Sequence, residues 1–148
     1  MIEFATAVRI DRTPGQVFPI LADFETYLVR WAKGPVAVAR TEGDGGIGSH
    51  YTITARIGPA TTRAPYEVTR YDLPGRLAGN GVAGPVRFEE EYHLTGDGAA
   101  TIVTQSIRAS PRGPFRLVQG LLRRQLQQLI ASDLGRFKDL VEALIPQS

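Results

Sequence analysis

Hydrophobic and polar positions alternate from the start of the chain. Ile2, Phe4, Val8 and Ile10 fall on one side, and Glu3 and Arg9 on the other. A period of two predicts a half-buried strand over Ile2 to Ile10. Asp11-Arg12-Thr13-Pro14 then reads as a helix start, with Thr13 as the N-cap and Pro14 at the first helical position. Val17, Phe18, Leu21 and Ala22 follow at helical spacing. A second short helix is expected near Phe24 to Trp31, ending before Gly34-Pro35. From Val36 to Ala109 short strand-like runs alternate with glycine and proline. Strands are predicted near 35–42, 48–58, 63–72, 76–82, 85–95 and 100–110. The turn signals are Gly43-Asp44-Gly45-Gly46, Gly58-Pro59, Leu73-Pro74-Gly75, Gly84-Pro85 and Gly96-Asp97-Gly98. No helix-length pattern interrupts them, so the strands are expected to form an antiparallel meander.

The last element has the strongest pattern. Gly113-Pro114 opens it and Pro146 closes it. Phe115, Val118, Leu122, Leu126, Ile130, Leu134, Phe137, Val141 and Leu144 step by three or four residues. A helix of about 30 residues would be about 45 Å long, enough to cross most of a small sheet. Gly120 and Gly135 interrupt it. The preferred reading is close backbone packing on the sheet; the other is room for a ligand. The order is strand, two helices, six strands, long helix, and residues 1–148 are expected to form one α+β domain.

Composition removes several function classes. The chain has 148 residues, of which 43% are hydrophobic and 22% charged, so a sizeable core can form without staples. There is no cysteine, which excludes disulfides, thiolate metal sites and a cysteine nucleophile. The first residues carry neither a basic nor an apolar leader pattern, and no run reaches a membrane span, so a cytoplasmic protein is expected. The net charge of +2 calls for no nucleic-acid partner.

The order of elements resembles the helix-grip fold of the START-like (SRPBCC) superfamily, and within it the polyketide cyclase/dehydrase family. The resemblance is carried by Val17-Phe18-Pro19-Ile20-Leu21-Ala22-Asp23-Phe24-Glu25-Thr26-Tyr27 followed by Trp31. It continues in Gly46-Ile47-Gly48-Ser49-His50-Tyr51 and in Tyr66-Glu67-Val68-Thr69-Arg70-Tyr71-Asp72-Leu73-Pro74-Gly75-Arg76-Leu77. It implies about seven antiparallel strands curled around the long helix, with an apolar cavity between them. It also implies that function lies in what fills that space: a lipid, polyketide or isoprenoid-like molecule. The fold does not choose among these.

Within that frame the strand from Val86 to Leu94 holds the main candidate. Val86, Phe88, Glu90, Tyr92 and Leu94 share one face; if that apolar face lines the cavity, Glu90 goes in with it. A buried carboxylate is costly unless paired or protonated. Glu90 is therefore a polar anchor or general acid/base in a greasy pocket, or half of a structural ion pair with Arg56, Arg70 or Arg108, or is turned outward by a bulge. Tyr27 and Trp31 belong to what the resemblance makes a lid at the cavity mouth, or else cap the core. Tyr51 and Ile53 share the inward face of their strand with Ala55 and Ile57. The expected cavity wall is Tyr27, Trp31, Tyr51, Ile53, Phe88, Glu90, Tyr92, Val118, Leu122 and Leu126. Were the protein an enzyme, Glu90, Tyr92 and Arg108 would be the catalytic candidates, for cyclisation or dehydration without metal.

His50 and His93 are expected on polar strand faces with no acidic cluster at metal spacing, so neither a metal nor another cofactor is expected. Serines lack an elbow motif, and Gly43 to Gly48 lacks a lysine and precedes a strand, so it is no phosphate loop. Arg108, Arg112, Arg116, Arg123 and Arg124 gather near the start of the last helix, either as a solvated face or as a surface for an anionic partner. The expected function is binding of a hydrophobic small molecule by a monomer or homodimer; the alternative is a polyketide aromatase/cyclase-type enzyme.

Overall fold

The computed structural model describes residues 1–57 and 59–147, without the side chain of Ile57. Gly58 of the expected Gly58-Pro59 turn and the inward placing of Ile57 therefore lie outside the described residues. The elements run β1 (Ile2–Ile10), α1 (Pro14–Ala22), α2 (Phe24–Trp31), β2 (Pro35–Glu42), β3 (His50–Ile57), β4 (Ala60–Asp72), β5 (Arg76–Ala83), β6 (Val86–Asp97), β7 (Ala100–Pro111) and α3 (Gln119–Leu144), with a 3-10 helix over Gly113–Val118. The seven strands form one antiparallel sheet in the order β1-β7-β6-β5-β4-β3-β2. β2 to β7 form the expected meander, and β1 joins the far edge beside β7 because α1 and α2 carry the chain across. This is the helix-grip fold, with α3 as the gripped helix.

Local chemistry sets the helix ends. The backbone N–H of Thr13 donates to Gln16 Oε1 at 3.0 Å, and Pro14 supplies a preset φ at the first turn of α1. Asp23 Oδ1 accepts from the Thr26 N–H at 3.3 Å and starts α2. At the far end of α3, the buried Arg12 donates to the carbonyls of Glu142 (3.0 Å) and Ile145. It thereby satisfies C-terminal carbonyls that a helix leaves unpaired. Arg136 of α3 donates to the Trp31 carbonyl at 2.9 Å, and Asp133 accepts from the Lys33 N–H at 3.1 Å. Those two residues lock the end of α2 onto α3.

The main core lies under α1, α2 and the C-terminal half of α3. Phe18, Leu21, Leu77, Val103, Leu134, Phe137 and Val141 are fully enclosed there. A smaller cluster of Ile2, Phe4, Ile107 and Ala109 lies under the other half of α3, with Leu122, Leu126 and Ile130 resting on it half-buried. Phe88 touches both clusters.

Two expectations about the last helix need correction. The α-helix starts at Gln119, not at Gly113, and its 26 residues give about 39 Å. Pro114 has no N–H to offer, and Phe115 and Val118 find no core beneath them; they are exposed. The apolar stripe is thus longer than the face the sheet can cover. The glycines do not mark close packing either. A Cβ at Gly120 or Gly135 would meet nothing within 4 Å.

Candidate functional site

Alternation along β6 turns Phe88, Glu90, Tyr92 and Leu94 to the concave face, while Arg87, Glu89 and His93 are exposed on the other. Glu90 is half-buried and Tyr92 is buried. On neighbouring strands the same face carries Tyr66 of β4 and Gln105 of β7, which are 3% and 1% exposed. These four side chains form one polar cluster in apolar surroundings. Tyr66 donates its hydroxyl to Glu90 Oε1 at 2.7 Å. The Gln105 amide donates to Glu90 Oε2 and to Tyr92 Oη, each at 3.1 Å.

Tyr66 reaches Glu90 only because β5 gives way between them. Gly79 pairs with Glu90 in the sheet, and a Cβ there would sit 2.1 Å from the Tyr66 hydroxyl oxygen. At Gly81 a Cβ would lie 2.8 Å from the Phe88 ring. The two glycines clear a shallow trough across β5. The Tyr66 phenol lies in it, and the Tyr66 and Phe88 rings sit with centroids 6.2 Å apart.

No cation faces the cluster among the described residues. The expected arginine partners are elsewhere. Arg56 is exposed, Arg70 pairs with Asp72 at 2.5 Å, and Arg108 pairs with Glu3 at 3.2 Å on the outer face of the sheet. Arg108 is therefore not in reach of Glu90 and Tyr92: the period of two puts it out of phase with Gln105 and Ile107. Burial raises the Glu90 carboxyl above its usual range, and hydrogen bonds from Tyr66, Gln105 and Tyr92 partly offset this. Tyr66 and Tyr92 are held well above the usual phenol range, first by burial and then by the charge of Glu90, so both stay protonated donors near neutral pH.

One atom of the cluster has no partner. Gln105 Oε1 is buried and accepts nothing from the protein, and the Trp31 indole N–H nearer the helices is buried and unpaired too. Buried polar atoms are nearly always satisfied, so an unmet acceptor in a polar cluster marks a place for a donor from outside the chain.

The other expected wall residues divide by depth. Trp31 and Tyr51 are buried in the main core, Trp31 tilted against Phe137 at 5.1 Å and Tyr51 packed 5.3 Å from Phe24. Tyr27 is half-buried, with the Arg30 guanidinium 5.8 Å from its ring centre. Leu122 and Leu126 are half-buried on the smaller cluster that Phe88 also touches, whereas Ile53 is half-buried against the main core. Val118 is not part of a wall: it is 43% exposed on the 3-10 helix. Gln105 was missing from the sequence reading. Its signal is the one that exposed Glu90, a polar residue in phase with Val103, Ile107 and Ala109 on an apolar face.

The surface carries two concavities. One of about 420 Å³ is lined mostly by outer-face residues, including Arg87, Glu89 and Arg108, and reaches Gly81 and Phe88 at the edge of the seam. The other, of about 370 Å³, lies between the α1–α2 junction and the glycine-rich β2–β3 turn, lined by Arg40, Asp44, Tyr51 and Tyr71. His50 pairs with Glu42 at 3.0 Å and with Glu67 at 3.6 Å when protonated, and His93 is exposed.

A family model described as polyketide cyclase/dehydrase and lipid transport matches residues 1–142. The chain belongs to this family. Among solved structures it is similar to a conserved protein from Geobacillus kaustophilus, at 22% identity and TM-score 0.79 over 96% of each chain. It is also similar to a START superfamily protein from Mycobacterium smegmatis, at 15% identity and TM-score 0.78 over 98% of this chain and 100% of the other. The Zhui aromatase/cyclase of a Streptomyces species shares the fold at 14% identity and TM-score 0.76, over 95% of this chain and 93% of that one. No curated protein matches the chain. At these identities the structures establish the fold; family and fold together point to hydrophobic ligand binding or a cyclase-like role. Among the described residues no helix is long and apolar enough to cross a membrane.

The raised Glu90 carboxyl has a consequence for stability. The folded protein holds this proton more tightly than the unfolded chain does. Its contribution is full below the ordinary glutamate range and falls as pH rises through the raised value. Compared with Glu90→Gln, the wild type should lose urea resistance as pH rises above the ordinary glutamate range. Parallel stability curves for the two proteins would show that Glu90 titrates as a solvated carboxyl.

Proposed function

We propose that the protein holds a hydrophobic small molecule, of the lipid, polyketide or isoprenoid kind, between the concave face of the sheet and the N-terminal half of α3. The uncharged polar end of that molecule meets the Tyr66–Glu90–Gln105–Tyr92 cluster. The observation that carries this reading is the unmet acceptor Gln105 Oε1, set in a cation-free polar cluster at a half-buried apolar seam. A ligand hydroxyl supplies the missing donor. A ligand carboxylate instead meets Glu90. Two like charges about 4 Å apart repel by about 4 kcal/mol at an effective dielectric of about 20. The proposal treats residues 1–148 as one domain, working in the cytoplasm without metal or cofactor.

The test uses two probes of one shape, naphthol and naphthoate, measured by calorimetry near neutral pH. Naphthol should bind at least about tenfold tighter than naphthoate, and Glu90→Gln should narrow the gap. Failure of both probes, and of a wider lipid and polyketide panel, would remove the ligand-binding reading. Equal affinity for the two would leave a pocket but strip the cluster of its selecting role.

A second reading is an aromatase/cyclase-type enzyme acting on the same ligand. It is favoured by one observation: burial raises the Glu90 carboxyl while it accepts from the neutral Tyr66 phenol, an arrangement able to give and take a proton during enolisation. In that case Glu90→Gln abolishes turnover while naphthol binding persists.

A further inference from the structure

The 3-10 helix and first turn of α3 present a run of exposed apolar side chains. Phe115, Leu117, Val118 and Leu121 are 43%, 87%, 43% and 56% exposed. No other seven consecutive positions among the described residues expose as many large hydrophobic side chains. Scattered exposed leucines are ordinary; a contiguous group on a short segment is not. Arginines flank and interleave them: Arg112, Arg116, Arg123 and Arg124 are all exposed. No acidic residue occurs between Asp97 and Asp133. Among the described residues Arg112, Arg116 and Arg124 pair with no carboxylate. The Met1 nitrogen donates to Gln119 Oε1 at 2.8 Å, which holds the start of β1 against this segment. The nearby Glu3 is held by Arg108, and its backbone carbonyl accepts from Arg123 at 3.1 Å.

We propose that residues 112–124 form a docking surface for an anionic lipid bilayer. The charge pattern selects this occupant. A second copy of the chain would bring the same arginines face to face, and an RNA would have no use for Leu117 and Leu121. An anionic bilayer surface satisfies both halves: its headgroups meet the guanidinium groups, and its outer acyl region takes the apolar side chains. Leu121 and Arg124 stand three residues apart in the first turns of α3, so an apolar and a basic group there can enter the interface together. Docking here also brings Leu122 and Leu126, which border the ligand seam, close to the lipid. The surface itself does not depend on the ligand-binding reading.

Co-sedimentation with phosphatidylcholine vesicles, with and without about 30 mol% phosphatidylglycerol, tests it. The wild type should bind the anionic vesicles and scarcely the neutral ones, and added salt should weaken binding. The double variants Leu117→Ser/Leu121→Ser and Arg116→Gln/Arg124→Gln should each weaken it by about tenfold or more. All four side chains are exposed, so folding is unaffected, and far-UV circular dichroism checks this. Three results overturn the proposal. The first is equal binding, or none, to the two vesicle types. The second is binding that survives the leucine double variant, which is the behaviour of a charge-only contact such as RNA makes. The third is self-association that the leucine variant abolishes and that excludes vesicles, which gives the surface to a second copy.

Discussion

Replacing Phe137 with alanine should destabilise the protein by about 3–5 kcal/mol, through lost transfer energy and the cavity left behind. Phe137 is fully enclosed and is among the largest side chains that are. It projects from α3 against the Trp31 ring, 5.1 Å away, and so joins the gripped helix to α2 as well as to the sheet. Its neighbours are themselves pinned. Trp31 is tied by the Arg136 hydrogen bond to its carbonyl, and Leu134 and Val141 have no exposed surface to retreat from. The site therefore collapses poorly, which puts the cost at the upper end of the range. Urea denaturation monitored by Trp31 fluorescence reads it directly. A loss under about 1 kcal/mol would mean that the core around Phe137 is loose enough to refill.

Gly79→Ala should cost about 1–3 kcal/mol from overpacking and should also break the polar cluster. The new methyl would meet the Tyr66 hydroxyl oxygen at 2.1 Å and the ring carbon that carries it at 2.3 Å. Tyr66 is buried against Phe24, so it has no free direction in which to swing while keeping its bond to Glu90. Glu90 then loses the first of the hydrogen bonds that hold its carboxyl down, and its proton affinity should rise further. The alanine variant should show weaker naphthol binding and an upward shift in the pH at which Glu90 affects stability. Tyr66→Phe is the control: it removes the hydrogen bond without overpacking. If Gly79→Ala were as stable as wild type and bound naphthol equally well, the trough in β5 would have no part in the site.

These two residues differ in how far the sequence reveals them. Phe137 lies in a stripe of three- and four-residue steps, and its burial follows from the pattern alone. Gly79 lies in Arg76 to Ala83, where nothing distinguishes it from other strand glycines. Its meaning comes from Tyr66, which precedes it by a whole hairpin and reaches across β5. That Glu90 shares a face with Phe88 and Tyr92 was legible because alternation is strict along β6; that this face is the concave one was not. The partners of Glu90 were not legible, because charge matching favoured arginines while the fold supplied a phenol and an amide. Arg12 was hidden for a similar reason: an arginine beside a helix start looks solvated, yet it donates to carbonyls at the opposite end of the chain.

Periodicity by itself determined the elements, their order and the antiparallel meander, since both helix and strand place side chains at fixed angular steps. It also determined which β6 side chains share a face. Only the tertiary structure decided where the long apolar stripe runs out of core, because the width of the sheet beneath it is written nowhere in the stripe. Only the tertiary structure brought Tyr66, Glu90, Gln105 and Tyr92 together around the space left by Gly79, because that meeting depends on strand register and on side chains crossing a strand. The same limit left Phe115, Leu117, Val118 and Leu121 in the open. Helical spacing cannot tell an apolar face that meets a sheet from one that meets nothing in its own chain.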